Sequence, residues 1–203
     1  MAAAPVEALL ADPVVARLAR SLRERPGTQR PLDDPMRRAA VALILRGEAG
    51  ALEILMIKRA SYEGDPWSGH VALPGGRREP GDATLEATAI RETREETALD
   101  LAAHGRIIGR LDELLPATPT LPPIAIAPYV ALLGGAAPMT LSEEVDAAFW
   151  VSLAALMDRA AWTDVQLVVR GVRRTFPAFL HEGHVIWGLT ERILEQFLGR
   201  LEP

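Results

Sequence analysis

Two adjacent glycines, followed at a fixed distance by three glutamates, constrain this chain more than anything else in it. The stretch Gly75-Gly76-Arg77-Arg78-Glu79-Pro80-Gly81-Asp82 leads to Arg91-Glu92-Thr93-Arg94-Glu95-Glu96. Glycine pairs mark backbone paths that other residues adopt poorly. On a helix, with roughly 100° between residues, Glu92, Glu95 and Glu96 fall within about 100° of one another. Like charges at that spacing repel. An acidic helix face by itself is often no more than a solvated surface. Joined to Pro74-Gly75-Gly76 and to Arg91, the cluster instead suits a hard divalent cation, which takes carboxylate oxygens and brings a phosphate-bearing substrate with it.

The segment resembles a Nudix box, whose usual pattern is G-x5-E-x7-R-E-U-x-E-E-x-G-U with U aliphatic. Gly76 fills the first glycine, Arg91-Glu92 the R-E pair, Glu95-Glu96 the E-E pair and Leu99 the last aliphatic position. Asp82 stands where the first Glu belongs, eight residues rather than seven separate it from Arg91, and Ala98 replaces the final Gly. The inserted residue, together with Gly69-His70-Val71-Ala72-Leu73 and Trp187-Gly188-Leu189-Thr190, is similar to the coenzyme A pyrophosphatase branch. That branch also carries an L-R-x-H segment upstream, where this chain has Glu63-Gly64-Asp65-Pro66-Trp67.

The resemblance implies an α/β/α sandwich with a mixed sheet. It implies Mg²⁺ or Mn²⁺ held first by Glu92 and Glu96, with Glu95 and the Gly75 carbonyl in support. Arg91, at i, i+4 from Glu95, is placed to hold that carboxylate by a charge-assisted hydrogen bond. A distant-loop glutamate completes the site in several family members. Glu144, in Ser142-Glu143-Glu144-Val145, is the candidate here, the alternative being an ordinary acidic helix start. Basic residues must meet substrate phosphate. Arg59 matches the arginine of the branch signature, and Arg77 lies in the glycine turn. Arg173-Arg174 is a weaker candidate, and each of these is otherwise surface charge. Trp67, just before the box, is a candidate substrate contact, whereas Trp150, Trp162 and Trp187 read as core or cleft wall. His181 and His184 read as structural.

The activity so implied is hydrolysis of a nucleoside diphosphate linked to another moiety. Coenzyme A, giving 3′,5′-ADP and 4′-phosphopantetheine, leads. ADP-ribose, a dinucleotide or a nucleoside triphosphate is the alternative, and a nucleotide-sensing module without catalysis is the rival from another class. A net charge of −5 argues against a general nucleic-acid binder. With no cysteine, disulfides, thiolate ligands and cysteine nucleophiles are excluded. Glu7, Asp12 and Arg17 interrupt any signal-peptide core, and no apolar run approaches the ~20 residues of a membrane span. Cytoplasm is the expected location, and a homodimer is compatible with the chain.

Leu10, Val14, Leu18 and Leu22 predict one helix over residues 6–23, lying outside the catalytic core, and the proline- and glycine-rich stretch after it reads as a linker. Residues 1–35 are thus an N-terminal helix and linker, and residues 36–203 the catalytic domain. Apolar runs at 39–45 and 52–57 predict a hairpin. Further strands are expected at 71–73, 106–111, 124–133, 149–151 and 185–187, with a proline-rich loop at 116–123. The box helix should be capped by Asp82, end near Thr97 and turn Ala83, Ala87, Ile90 and Thr97 to the core. A helix begins at Leu153 and another spans 189–201. Residues 165–169 fit strand or helix equally.

Overall fold

The computed structural model describes residues 4–29, 37–48, 51–62, 67–116, 124–135, 138–169 and 171–202. Most of the expected linker, Glu63 to Pro66 and most of the proline-rich loop lie outside them.

The N-terminal periodicity is divided between two helices, α1 (Val6–Ala11) and α2 (Pro13–Glu24). Asp12 causes the break. Its carboxylate accepts from the N–H groups of Val14 and Val15, at 2.8 and 3.2 Å, and Pro13 occupies the first helical turn. A proline tolerated there cannot continue a helix from behind it. The apolar spacing runs on across the break, which is why one helix was expected. Leu9, Val15, Leu18 and Leu22 are buried in the main hydrophobic cluster.

The expected hairpin is present as β1 (Arg37–Glu48) and β2 (Ala51–Arg59). β3 (Val71–Ala72) pairs with the far part of β2, and β4 (Gly75–Arg77) pairs with the near part of β1. The two hairpin strands are paired from Leu45–Glu48 to Ala51–Ile54. Beyond that, β1 takes β4 as partner and β2 takes β3. Pro74 lies in the resulting split, where its carbonyl accepts from the Ala42 N–H at 2.8 Å.

After the box helix α3 (Leu85–Thr97) and the short α4 (Leu101–His104) come β5 (Gly105–Arg110) and β6 (Ile124–Leu133). β6 runs parallel to β1 from Arg37 to Leu45, whereas the other named pairs are antiparallel, so the sheet is mixed. β7 (Val145–Ser152) pairs with β2 and begins earlier than the apolar run at Phe149 suggests. The order is β3-β2-β1-β6-β5, with β4 on β1 and β7 on β2.

Helix α5 (Leu153–Met157) and a 3-10 turn lead into a smaller antiparallel sheet of β8 (Trp162–Val169), β9 (Val172–His181) and β10 (His184–Trp187). The chain ends in α6 (Leu189–Leu201). Pairing with β9 makes residues 165–169 a strand. β9 is not among the expected strands: its first four residues are exposed, and Pro177, a residue that central strands exclude, interrupts its apolar run from Phe176 to Leu180.

Alternation along the strands builds two cores. Leu43, Leu45, Ile54, Met56, Val130 and Leu132 meet α1, α2, α6 and the small sheet. Ala40, Ala42, Ile44, Leu55, Tyr129 and Ala131 meet Leu85 and Ala89 of α3. The result is the expected α/β/α sandwich with N-terminal helical structure. No helix among the described residues is long and apolar enough to cross a membrane.

The buried face of α3 differs from the expected one. Leu85, Thr88, Ala89, Thr93, Glu96 and Thr97 are buried, whereas Ala83 is exposed and Ala87 and Ile90 are half-buried. The expectation placed the core stripe opposite the three glutamates, but Leu85, Ala89 and Glu96, on the glutamate side, are buried as well. Thr84, not Asp82, caps the helix, accepting from the Ala87 N–H at 3.1 Å.

Asp12→Ala should lower unfolding stability by about 1–2 kcal/mol, the range for losing an N-cap. Urea denaturation measures it. An unchanged midpoint would show that Asp12 does not hold the α1–α2 corner.

Candidate active site

Arg91 organises the site. Its Nε donates to Asp82 Oδ1 at 2.9 Å and its Nη2 to Asp82 Oδ2 at 3.0 Å, a two-pronged pairing. Nη2 also meets Glu92 Oε1 and the Arg77 carbonyl, each at 3.0 Å, while Nη1 reaches Glu95 Oε2 at 2.7 Å. One guanidinium thus joins the glycine turn to three acidic side chains. The expected Arg91–Glu95 contact is among these bonds. Asp82 is buried and also accepts from the Glu79 N–H and the Thr88 hydroxyl, both at 2.9 Å. Its bond to Arg91, foremost, holds the carboxyl far below the usual range, and the same bond raises Arg91 above its ordinary value.

The glycines let α3 approach the turn. Gly75 has φ +154°, and a Cβ there would collide with the Ala40 carbonyl oxygen and Val41 Cα of β1. A Cβ on Gly76 would collide with the Glu92 carboxylate. Close packing of backbone against acid explains both residues. The Gly75 N–H donates to Glu96 Oε2 at 2.8 Å.

The three box glutamates occupy different environments. Glu95 is 54% exposed at its side chain and Glu92 16%. Glu96 is only 3% exposed. Burial, foremost, pushes Glu96 up to about 8; the Gly75 N–H opposes the shift, and the negative charges of Glu92 and Glu144 add to it. Burial also raises Glu92, against the pull of Arg91, with Glu95 and Glu144 contributing repulsion. Arg59 pulls Glu96 the other way.

Glu144 is exposed on a turn held to the rest of the site by backbone bonds. Its carbonyl accepts from the Ala60 N–H at 2.8 Å, the Ser142 N–H donates to the Glu96 carbonyl at 3.0 Å, and the Tyr62 hydroxyl donates to the Glu143 carbonyl at 2.9 Å. The structure therefore brings Arg59, Arg91, Glu92, Glu96 and Glu144 together, with Glu95 at the rim. Arg77 lies on β4 with its side chain exposed, and its carbonyl is the group that Arg91 holds. Half-buried Trp67 opens a turn closed by the bond from the His70 N–H to the Trp67 carbonyl at 3.1 Å. His181 and His184 stack on Phe149, centroids 6.4 and 4.3 Å away, away from this cluster.

Among the described residues, no three acidic, imidazole or thiol groups already stand as a ligand set. Glu92 is turned to Arg91 and Glu96 to the Gly75 N–H. The donor chemistry nevertheless fits a hard divalent cation. Carboxylates that raise one another's proton affinity gain from a positive charge between them, and one of them is buried where water screens little.

The family model for the NUDIX domain matches residues 36–170. An uncharacterized protein of Schizosaccharomyces pombe is 36% identical over 132 residues, 63% of this chain and 40% of that protein. The mitochondrial coenzyme A diphosphatase NUDT8 of Homo sapiens is 34% identical over 171 residues, 81% of this chain and 70% of that protein. This chain therefore spans less than half of the yeast relative and more than two thirds of the human one. A solved MutT/nudix family protein from Enterococcus faecalis shares the fold with a TM-score of 0.53 at 19% identity, over 91% of this chain and 68% of that one.

The raised value of Glu96 has a sign that can be checked. The folded protein holds a proton that the unfolded chain releases once pH passes about 4.5, and it keeps that proton to about 8. Stability in EDTA should fall as pH rises through this window, by at most about 1.4 kcal/mol per pH unit. Glu96→Gln should lack that slope. Parallel urea midpoints for the two proteins between pH 5 and 8 would contradict the burial of an ionisable Glu96.

Proposed function

The chain belongs to the Nudix family of hydrolases, and from that premise we propose that it cleaves coenzyme A to 3′,5′-ADP and 4′-phosphopantetheine with Mg²⁺ or Mn²⁺. The observation that carries the metal-dependent reading is the buried Glu96, pushed up to about 8 beside Glu92 and Glu144. The likeness to a coenzyme A diphosphatase over 81% of this chain supports the choice of substrate. A second reading, ADP-ribose or another diphosphate, draws on Glu63 to Trp67, which lack the L-R-x-H segment of the branch. The intact Glu92, Glu95 and Glu96 weigh against a sensing module without catalysis. Cytoplasm is the proposed location.

Glu92 and Glu96 would hold the cation, with Glu95 and the Gly75 carbonyl in support. The cation, when bound, neutralises diphosphate oxygens and lowers the pKa of a water it carries. Arg91 fixes Glu92 and Glu95 and ties both to the glycine turn, so their geometry is set before substrate arrives. Arg59, electrostatically coupled to Glu96, binds the diphosphate, with exposed Arg77 as a further phosphate contact. Glu144 takes the proton of the attacking water at its carboxylate. Trp67 borders the substrate.

Turnover should vanish in excess EDTA and return with Mg²⁺ or Mn²⁺. Glu96→Gln and Glu92→Gln should each lower kcat by about 10²-fold or more. Either variant at wild-type kcat would remove that residue from the mechanism. For the substrate, kcat/KM is compared for coenzyme A and ADP-ribose, with products identified by mass spectrometry. A value for ADP-ribose tenfold above that for coenzyme A would replace the coenzyme A reading with the second one.

A further inference from the structure

The small sheet carries a row of side chains toward the active site, and the reaction as described does not use them. Its link to the site is His70. The Arg59 N–H donates to the His70 carbonyl at 3.0 Å, so the two residues stand opposite each other where β2 meets the start of β3. Opposed residues of antiparallel strands turn their side chains to the same face. On that face Arg59 acts electrostatically on Glu96.

The His70 ring lies 4.8 Å from the ring of Trp187, and the Trp187 ring lies 4.8 Å from that of Phe176. Trp187 pairs with Ala178 across β10 and β9. Ala178, Phe176 and Arg174 alternate along β9 and therefore share the face of Trp187. Ile186 and Phe179, on the opposite face of the same strands, are wholly buried. His70, Phe176 and Trp187 are each only half-buried, and Arg174 at the outer end of the row is exposed.

Half-exposed rings beside a phosphate-cleaving site suit the flat face of a nucleobase, since stacking needs one open ring surface. A guanidinium beyond the rings suits a phosphate dianion, which is costly to bury unpaired. Arg59, beside Glu96, is committed to the diphosphate, so a second phosphate on the nucleoside needs another cation.

We propose that Phe176 and Trp187, backed by His70, form the nucleoside subsite, and that Arg174 binds a phosphomonoester on the ribose. The inference rests on the reading that this chain cleaves a nucleoside diphosphate-linked substrate. It assigns the recognition of that substrate's nucleoside end to the small sheet.

Calorimetry on the full chain with Mg²⁺ tests it, using 3′,5′-ADP and 5′-AMP as probes. Wild type should bind 3′,5′-ADP about tenfold more tightly than 5′-AMP. Arg174→Ala should erase that gap, whereas Arg173→Ala, one residue earlier and on the other face, should keep it. Phe176→Leu should weaken both probes about tenfold. If Phe176→Leu does not fold, the two arginine variants decide. The proposal is overturned if wild type binds neither probe, if Arg174→Ala keeps the gap, or if a folded Phe176→Leu binds both as wild type does. Coenzyme A turnover by wild type is measured alongside. No turnover with an Arg174-dependent gap would refute the coenzyme A reading and leave the subsite standing. Turnover with a gap indifferent to Arg174 would refute the subsite alone.

Discussion

The guanidinium of Arg91 is the contact on which the rest of the site depends. Asp82 grips it from before the helix, the Arg77 carbonyl from the glycine turn, and Glu92 and Glu95 from its own helix. Without that cation, acidic groups would face one another across a partly buried gap. With it, Asp82 stays ionised despite burial, and the helix is fixed in register against the turn. A buried charge pair of this kind is a poor source of net stability, because desolvation offsets most of the attraction. Its contribution is geometric. It holds Glu92 and Glu95 in position while Glu96 is held separately by the Gly75 N–H.

The sheet supplies the space for this arrangement. Where β1 and β2 part, β3 pairs with β2 and β4 with β1, Pro74 joins the two, and the two glycines of β4 leave room for strand backbone on one side and Glu92 on the other. Glu96 then points into protein rather than water. The same burial raises its proton affinity.

Much of this was legible in the sequence because it rests on local patterns. The hairpin, β6, α5 and α6 follow from aliphatic runs and helical spacing, and the box follows from glycine and glutamate positions. Less legible were features that depend on partners distant in sequence. β9 carries Pro177 in the middle of its apolar run, which argues against a strand, and is made one by pairing with β8 and β10. The inward turn of Glu96 contradicts its polarity and is explained only by the Gly75 N–H it meets. Asp82 has the composition of a helix cap, and its real partner lies nine residues on, at Arg91. The break at Asp12-Pro13 was a local signal outweighed by an apolar period that continues through it.

The central claim is that Glu96, protonated when alone, becomes the carboxylate of a metal site. Calorimetric titration of the protein with Mg²⁺ at pH 7, repeated in buffers of different ionisation enthalpy, counts the protons released on binding. The account predicts release of about one proton per site, because the ligand must be deprotonated before it binds. Binding of Mg²⁺ with no proton release would contradict it.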